Sequence, residues 1–199
     1  MKYWRVEGVP DGDVLDELAA ILIAGGVALL PTDTIYGLHA VAANQQAVDR
    51  IAAMKERPSE KAFVVIASSV EQLETMGVIV PEVLRNIWPA PLTAILRSGE
   101  TTVAARVPDL SWLRNLLDRT GPLVSTSANR SGEPPVTSPE MLERTMQYRL
   151  DALLDQGIHD GKPSTIVDFT ESNGCAPRLV REGDPGFTQI LRKSLWKDL

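Results

Sequence analysis

Val14, Leu15, Leu18, Ile21 and Leu22 recur at helical spacing, so residues 14–22 present one apolar stripe; Asp13 is placed to cap this helix and Gly25-Gly26 to stop it. The apolar run "VALLP" follows at once and reads as a strand. Ala47, Val48, Ile51 and Ala52 repeat the helical pattern in "QQAVDRIAAMKER", with Asn44 as cap and Pro58 as a forced end. "KAFVVIA" is nearly all apolar, the form taken by strands covered on both faces. Ser68 with Glu71 reads as a capping box for the next short helix, and Pro81 can begin another that ends before "WPAPLTAIL". "TVAARVP" is strand-like. Trp112, Leu113, Leu116 and Leu117 share one side of "SWLRNLLDR", and the strand "PLVSTS" runs into "ANRSGEPP". Ser138-Pro139 starts a helix through about Leu150, followed by three late strands, "DALLD", "STIVDF" and "RLVRE", and a last helix in "FTQILRKSLW".

Helices alternate with strands through most of the chain, which predicts an α/β fold with an open, twisted, mixed sheet and flanking helices. With 199 residues, 44% of them hydrophobic, a single domain over residues 1–199 is expected. The compositional break "ANRSGEPPVTSP" directly follows a strand and reads as a binding loop rather than a domain boundary. The formal charge of −6 makes the molecule as a whole repel polyanions, so a phosphate site must be a local cluster of cations. Cys175 is the sole cysteine, which excludes an internal disulfide and a cysteine-built zinc site. The amino terminus carries no apolar signal core and no apolar run reaches about 20 residues, so a cytoplasmic protein without a membrane span is expected.

Four polar clusters follow or sit on apolar strands. Thr32, Thr34 and Tyr36 follow the first strand; Lys55, Arg57 and Lys61 gather around Pro58; Arg106 ends "TVAAR"; and Ser125, Thr126, Ser127 and Asn129 end "PLV". Each has a plain structural reading. Asp33 and the threonines can bond their own backbone in a turn, Lys55 and Arg57 can complement a helix dipole, and Arg106 can be an ion-pair partner. Together they make the set that a triphosphate and an amino-acid carboxylate demand: cations neutralise phosphate oxygens, arginine grips an oxyanion with two bonds, and hydroxyls donate without adding charge. Phosphoryl and nucleotidyl transfer rest mainly on positioning and electrostatics, which fits the lack of an acid–base pair.

Competing motifs fail. "GKPST" imitates a Walker A ending, but Gln156 stands where the first glycine should be and Pro163 interrupts the Lys-Ser/Thr pair. No dinucleotide glycine fingerprint follows the first strand, and neither Ser125 nor Ser127 lies in a nucleophile elbow. His39 and His159 lack the paired spacing of a metal site, so no metal ligands are assigned.

With these residues in place, the chain resembles the YrdC/TsaC family of short-form L-threonylcarbamoyladenylate synthases from about Asp13 to Arg181. The resemblance is carried by "PTDTIYGL", "KERPSEK", "WPAPLT", "TVAARVP", "STSANRSGEPP" and "GKPSTIVD" with "VREG", six segments in the family's order. It implies a sheet with a concave cationic cavity, and condensation of L-threonine, bicarbonate and ATP, with Mg²⁺ on the phosphates, into threonylcarbamoyl-adenylate and pyrophosphate. A partner transferase complex would then move the threonylcarbamoyl group to tRNA. By this resemblance Thr34, Arg106, Ser125 and Ser164 would hold threonine; Lys55, Arg57 and Lys61 would embrace the ATP phosphates, Lys55 and Arg57 as catalytic groups; and Thr102, Ser127, Asn129 and Arg181 would complete the nucleotide site. Thr32 and Tyr36 would be pocket walls.

Ala90 and His39 stand where the family usually has glycine, and Ile66 where longer relatives have histidine. These departures leave room for a YciO-type paralogue that binds tRNA or double-stranded RNA, although a charge of −6 and 5% aromatic residues offer no basic-aromatic stacking surface. A hydrogenase-maturation carbamoyltransferase shares this domain but carries zinc fingers that a chain with one cysteine cannot build.

Overall fold

A computed structural model of the chain describes residues 1–56, 63–142, 146, 149–171 and 176–196. Its frame is one ten-stranded sheet: β1 (Lys2–Arg5), β2 (Ala28–Leu30), β3 (Gly37–Val41), β4 (Val64–Ile66), β5 (Leu92–Ser98), β6 (Thr101–Arg106), β7 (Leu123–Ser127), β8 (Ala152–Asp155), β9 (Thr165–Asp168) and β10 (Arg178–Arg181). The spatial order is β1-β8-β2-β3-β7-β4-β6-β5-β9-β10, with β1, β8 and β2 parallel to one another, β4 parallel to β6, β5 parallel to β9, and the other neighbours antiparallel. The mixed α/β sheet read from the alternation of elements is therefore present, and β1, β3 and β5 are strands that the hydrophobic pattern did not announce.

The helices are α1 (Gly12–Ile23), α2 (Gln45–Met54), α3 (Val70–Thr75), α4 (Glu82–Arg85), α5 (Ser111–Thr120) and α6 (Pro185–Leu195). Asp11, not Asp13, caps α1 by accepting from the Val14 amide at 2.9 Å, because Gly12 already has helical conformation and Asp13 falls in the first turn. Gly25 takes the left-handed conformation (φ +89°) that ends the helix, and the Gly26 amide reaches back to Ile21. Asn44 caps α2 as expected. Ser69 rather than Ser68 caps α3, bonding the Gln72 amide, while the Gln72 side chain accepts from the Ser68 amide; the reciprocal pair is shifted by one residue. Ser138-Pro139 opens a short 3₁₀ turn, Pro139–Met141; most of the expected continuation to Leu150 lies outside the described residues. No described helix is long and apolar enough to cross a membrane.

Alternation along the strands sorts side chains onto two faces. One face carries Leu29, Leu38, Ala40, Val124 and Leu153 against α2, and, further along, Val65, Ala105, Ala94 and Val167 against α3, α4 and α6. The other carries Leu30, Ile66, Leu123 and Leu154 against Leu18 and Leu22 of α1 and Leu113, Leu116 and Leu117 of α5. On this second face Gly37, Ser125, Ser127, Ala104, Ile95, Thr93 and Ile166 line a cavity instead, and Val64 both packs at the edge of the α1/α5 cluster and opens to that cavity. On this face β4 is accordingly fully buried at Ile66 and only partly buried at Val64, which also opens to the cavity.

Candidate active site

The cavity measures about 480 Å³, and its walls are the ends of strands plus the loops that leave them. The loop from β2 to β3 supplies Thr32 and Thr34, folded by a turn in which Thr32 Oγ1 accepts from the Thr34 and Ile35 amides and donates to Ile35 O at 2.9 Å. Since that hydroxyl has one proton, Thr34 Oγ1 donates to Thr32 Oγ1 (2.9 Å) and accepts from Arg106 Nη1 (2.9 Å). A relay from Arg106 through Thr34 to Thr32 thus fixes the mouth of the hairpin. Arg106, at the end of β6, is 4% exposed and has Asp33 Oδ1 3.4 Å from the same nitrogen. Burial pulls its pKa down and Asp33 opposes that pull.

On the far wall, Arg181 donates through Nε and Nη2 to the Ser164 carbonyl, and Ser164 Oγ shares a 2.8 Å bond with Thr93 Oγ1. The Arg181 pKa is lowered first by burial and then by the Arg106 cation. Two guanidinium groups that repel each other across one cavity mark a place where an anion lowers the energy of both. Ser127, Asn129 and Glu133 close the third side; Ser127 Oγ bonds Asn129 Oδ1, and Asn129 Nδ2 bonds the Glu133 carbonyl.

Thr32, Thr34, Arg106, Ser125, Ser127, Asn129, Ser164 and Arg181 therefore line one hollow, although they are spread over about 150 positions of sequence. Three other expected residues do not. Lys55 is 2% exposed, and its ammonium donates to Ser127 O, to Asn129 O (2.7 Å) and to Asn129 Oδ1 (3.0 Å). Through these bonds Lys55 holds the β7 exit loop, and it is not among the described residues that line the cavity. Tyr36 points to the opposite face, where its hydroxyl donates to Gly157 O (3.0 Å) and accepts from the Gln156 amide (2.9 Å). Burial raises its pKa to about 12, and the bond from Gln156 opposes that rise. Thr102 lies at the exposed start of β6, two residues beyond Ala104 on the cavity face and outside its lining. Arg57 and Lys61 lie outside the described residues.

Other residues at the site had no role assigned from sequence. Thr93, inside "WPAPLT", anchors Ser164, and apolar Phe63, Val64, Ile95 and Ile166 pave the floor. A Cβ at Gly161 would sit 2.0 Å from Thr34 O, and one at Gly183 would sit 2.3 Å from Pro163 O, so these two glycines let the 157–163 loop and the β10 exit press against the walls. The "GKPST" and "VREG" segments held that signal. His39 is fully buried beside the floor, with Nε2 3.1 Å from Ser125 Oγ. Burial and the Arg106 cation push its pKa down to about 3, so the ring is neutral.

Residues 20–183 match the family model described as telomere recombination, the Sua5/YciO/YrdC model. The chain belongs to the Sua5/YciO/YrdC family. Among relatives in it, the threonylcarbamoyl-AMP synthase of Stutzerimonas stutzeri is 32% identical over 189 residues, covering 87% of this chain and 97% of the relative. That of Bacillus subtilis is 34% identical over 200 residues, covering 86% of this chain and 56% of the relative, so this chain spans little more than half of the longer members. Among solved structures, Pyrococcus abyssi Sua5 complexed with L-threonine superposes with a TM-score of 0.87 at 29% identity, over 98% of this chain and 61% of that one. Escherichia coli YciO gives 0.79 at 26% identity, over 92% and 95%. A HypF structure at 21% identity shares the fold.

Proposed function

We propose that this chain is a cytoplasmic L-threonylcarbamoyladenylate synthase, a single-domain nucleotidyltransferase that condenses L-threonine, bicarbonate and ATP. The observation that carries the reading is the convergence of Arg106 and Arg181 with Thr34, Ser125, Ser127, Asn129 and Ser164 on one cavity. Relatives named threonylcarbamoyl-AMP synthase at 32% to 34% identity, and the threonine complex of Pyrococcus Sua5, support the choice of substrate.

In this reading the Arg106 guanidinium receives the threonine carboxylate, with Thr34 holding it in orientation and Ser125 and Ser164 closing the amino-acid end. Arg181 from β10 faces the nucleotide together with Ser127 and Asn129, which Lys55 helps to keep in place. The threonine ammonium loses a proton, bicarbonate dehydrates to carbon dioxide, and the free amine adds to it, giving a carbamate with net release of water. A carbamate oxygen then attacks the α-phosphorus as the bond from phosphorus to the bridging oxygen breaks and pyrophosphate leaves. Among the described residues no cluster of three or more carboxylate, histidine or cysteine groups could hold a metal. Mg²⁺ would arrive on the ATP phosphates, as part of the substrate, and would neutralise their charge. Carbamates decompose in water, so the apolar floor of Phe63, Val64, Ile95 and Ile166 contributes by excluding it. The product would pass to a transferase complex that modifies tRNA.

The test is purified protein with ATP, bicarbonate and each amino acid in turn, followed by mass detection. Threonylcarbamoyl-adenylate and pyrophosphate should appear only when all three substrates are present. ATP turnover indifferent to the amino acid, or no adenylate at all, overturns the assignment and directs attention to a YciO-type role.

A further inference from the structure

His39 is the one buried imidazole on the cavity face of the sheet among the described residues, and no step above uses it. Its register partner across the β3–β7 pair is Ser125, so the two side chains stand on the same face at adjacent strands. The ring leans toward Gly37, where a Cβ would lie 2.8 Å from Cε1 and 3.3 Å from Nε2. Gly37 and Ser125 both line the cavity. The imidazole thus fills the space that the missing Gly37 side chain leaves, fully buried beside the floor.

One hydrogen bond joins Nε2 to Ser125 Oγ, and the two ring tautomers let it run in either direction. When the serine donates, its hydrogen is committed to the ring and Oγ can only accept from a ligand; when Nε2 donates, the serine keeps its hydrogen to offer a ligand. In both cases Oγ itself is held in one rotamer against the ring. A serine with no such partner would rotate among three staggered wells. Because the ring stays neutral, the pin does not change with protonation near pH 7. A hydroxyl held in place in a buried wall favours a ligand that can use its second hydrogen-bonding position, since a ligand without a matching group forfeits that bond.

We propose that His39 is a positioning residue which, by locking the Ser125 hydroxyl, makes the cavity select a hydroxylated amino acid over an isosteric apolar one. This inference rests on the reading that the cavity takes an amino acid, and it is tested by equilibrium binding so that turnover does not enter. Calorimetric titrations of L-threonine and L-valine, each with a non-hydrolysable ATP analogue present, compare wild type with His39→Ala, His39→Gln, Ser125→Ala and the double alanine variant. His39→Ala should weaken threonine about tenfold, the worth of one net hydrogen bond, and leave valine within about twofold. Glutamine places an amide where Nε2 was and should restore most of the preference. Ser125→Ala should cost as much as His39→Ala, and the double variant no more than either.

The inference is overturned if His39→Ala lowers the melting temperature but leaves the threonine-to-valine ratio unchanged, if the two alanine losses multiply, or if wild type itself has no preference. A wild type that prefers threonine yet forms no adenylate overturns the synthase reading alone, and the preference upholds the selection proposed for the cavity.

Discussion

At one end of the cavity-bearing face, Leu30, Ile66, Leu123 and Leu154 lie under Leu18, Leu22, Leu113 and Leu116 of α1 and α5. At the other end the same strands present Gly37, Ser125, Val64, Arg106 and Thr93 to a hollow. Moving two residues along β4, from Ile66 to Val64, or along β7, from Leu123 to Ser125, passes from core to site without a break in register. The strand geometry is constant, and what changes is the cover. Where helices pack, large aliphatic side chains gain from leaving water; where they do not, small and hydroxyl-bearing side chains leave room and offer bonds. Stability and ligand recognition are thereby assigned to separate ends of one surface, and substitutions should separate them.

The largest effect should come from the covered end. Leu116→Ala empties a fully buried position between α5 and the sheet and should cost about 4 kcal/mol of stability, read by urea unfolding. Threonine affinity, measured by calorimetry below the transition, should stay within about twofold, since Leu116 touches no cavity residue's hydrogen-bond network. Loss of affinity in the still-folded variant would show that the two ends are not independent.

Lys55 sharpens the contrast at the β7 exit loop. Lys55→Met removes a buried ammonium from three oxygen acceptors on Ser127 and Asn129 and should cost about 3 kcal/mol. Here stability and nucleotide affinity should fall together, because the same loop presents Ser127 and Asn129 to the cavity. A variant that loses nucleotide affinity with an unchanged urea midpoint would restore Lys55 to a direct phosphate contact. Arg181→Met should do the reverse of Leu116→Ala: adenylate formation falls about 30-fold, as for one charge-assisted bond of about 2 kcal/mol, while the urea midpoint barely moves.

The two ends were also unequally legible in the sequence. α1, α2 and α5 are visible because Leu18, Leu22, Ile51, Leu113 and Leu116 repeat at the helical period, a local signal. The capping sites drifted by one or two residues at Asp11 and Ser69 because each stands near a second acceptable cap, and local propensity does not rank them. β3 and β5 were hidden: Gly37 and His39 break the apolar alternation of one, and the prolines of "WPAPLTAIL" mimic a loop at the start of the other. At the site, Thr34, Arg106, Ser164 and Arg181 were marked by chemistry plus the order of motifs. The bonds of Lys55 to the β7 exit loop and of Tyr36 to Gly157 and Gln156 were not visible, because a sequence shows which donors a residue owns, whereas the fold decides which acceptors reach them. The glycines at 161 and 183 show the same gap, since the backbone each presses against comes from a distant segment.

His39 gives the smallest and most selective separation. Its pKa is held at about 3 in the folded protein, by burial and then by Arg106, against an ordinary value near 6.5. Well above pH 6.5 the ring is neutral whether the chain is folded or not, and the full stability is present. As pH falls below 6.5 the unfolded chain takes up a proton that the folded one refuses, so stability declines with pH down to about 3. Between pH 7 and 5.5 this should remove about 1 kcal/mol, read as a shift in the urea midpoint. His39→Gln carries no titrating group and should lose that slope while wild type keeps it. The comparison of the two curves cancels other groups that titrate in the same window. Parallel curves would mean that His39 is protonated in the folded state beside Arg106, and a cation there would displace the neutral pairing with Ser125 on which selection at the floor depends.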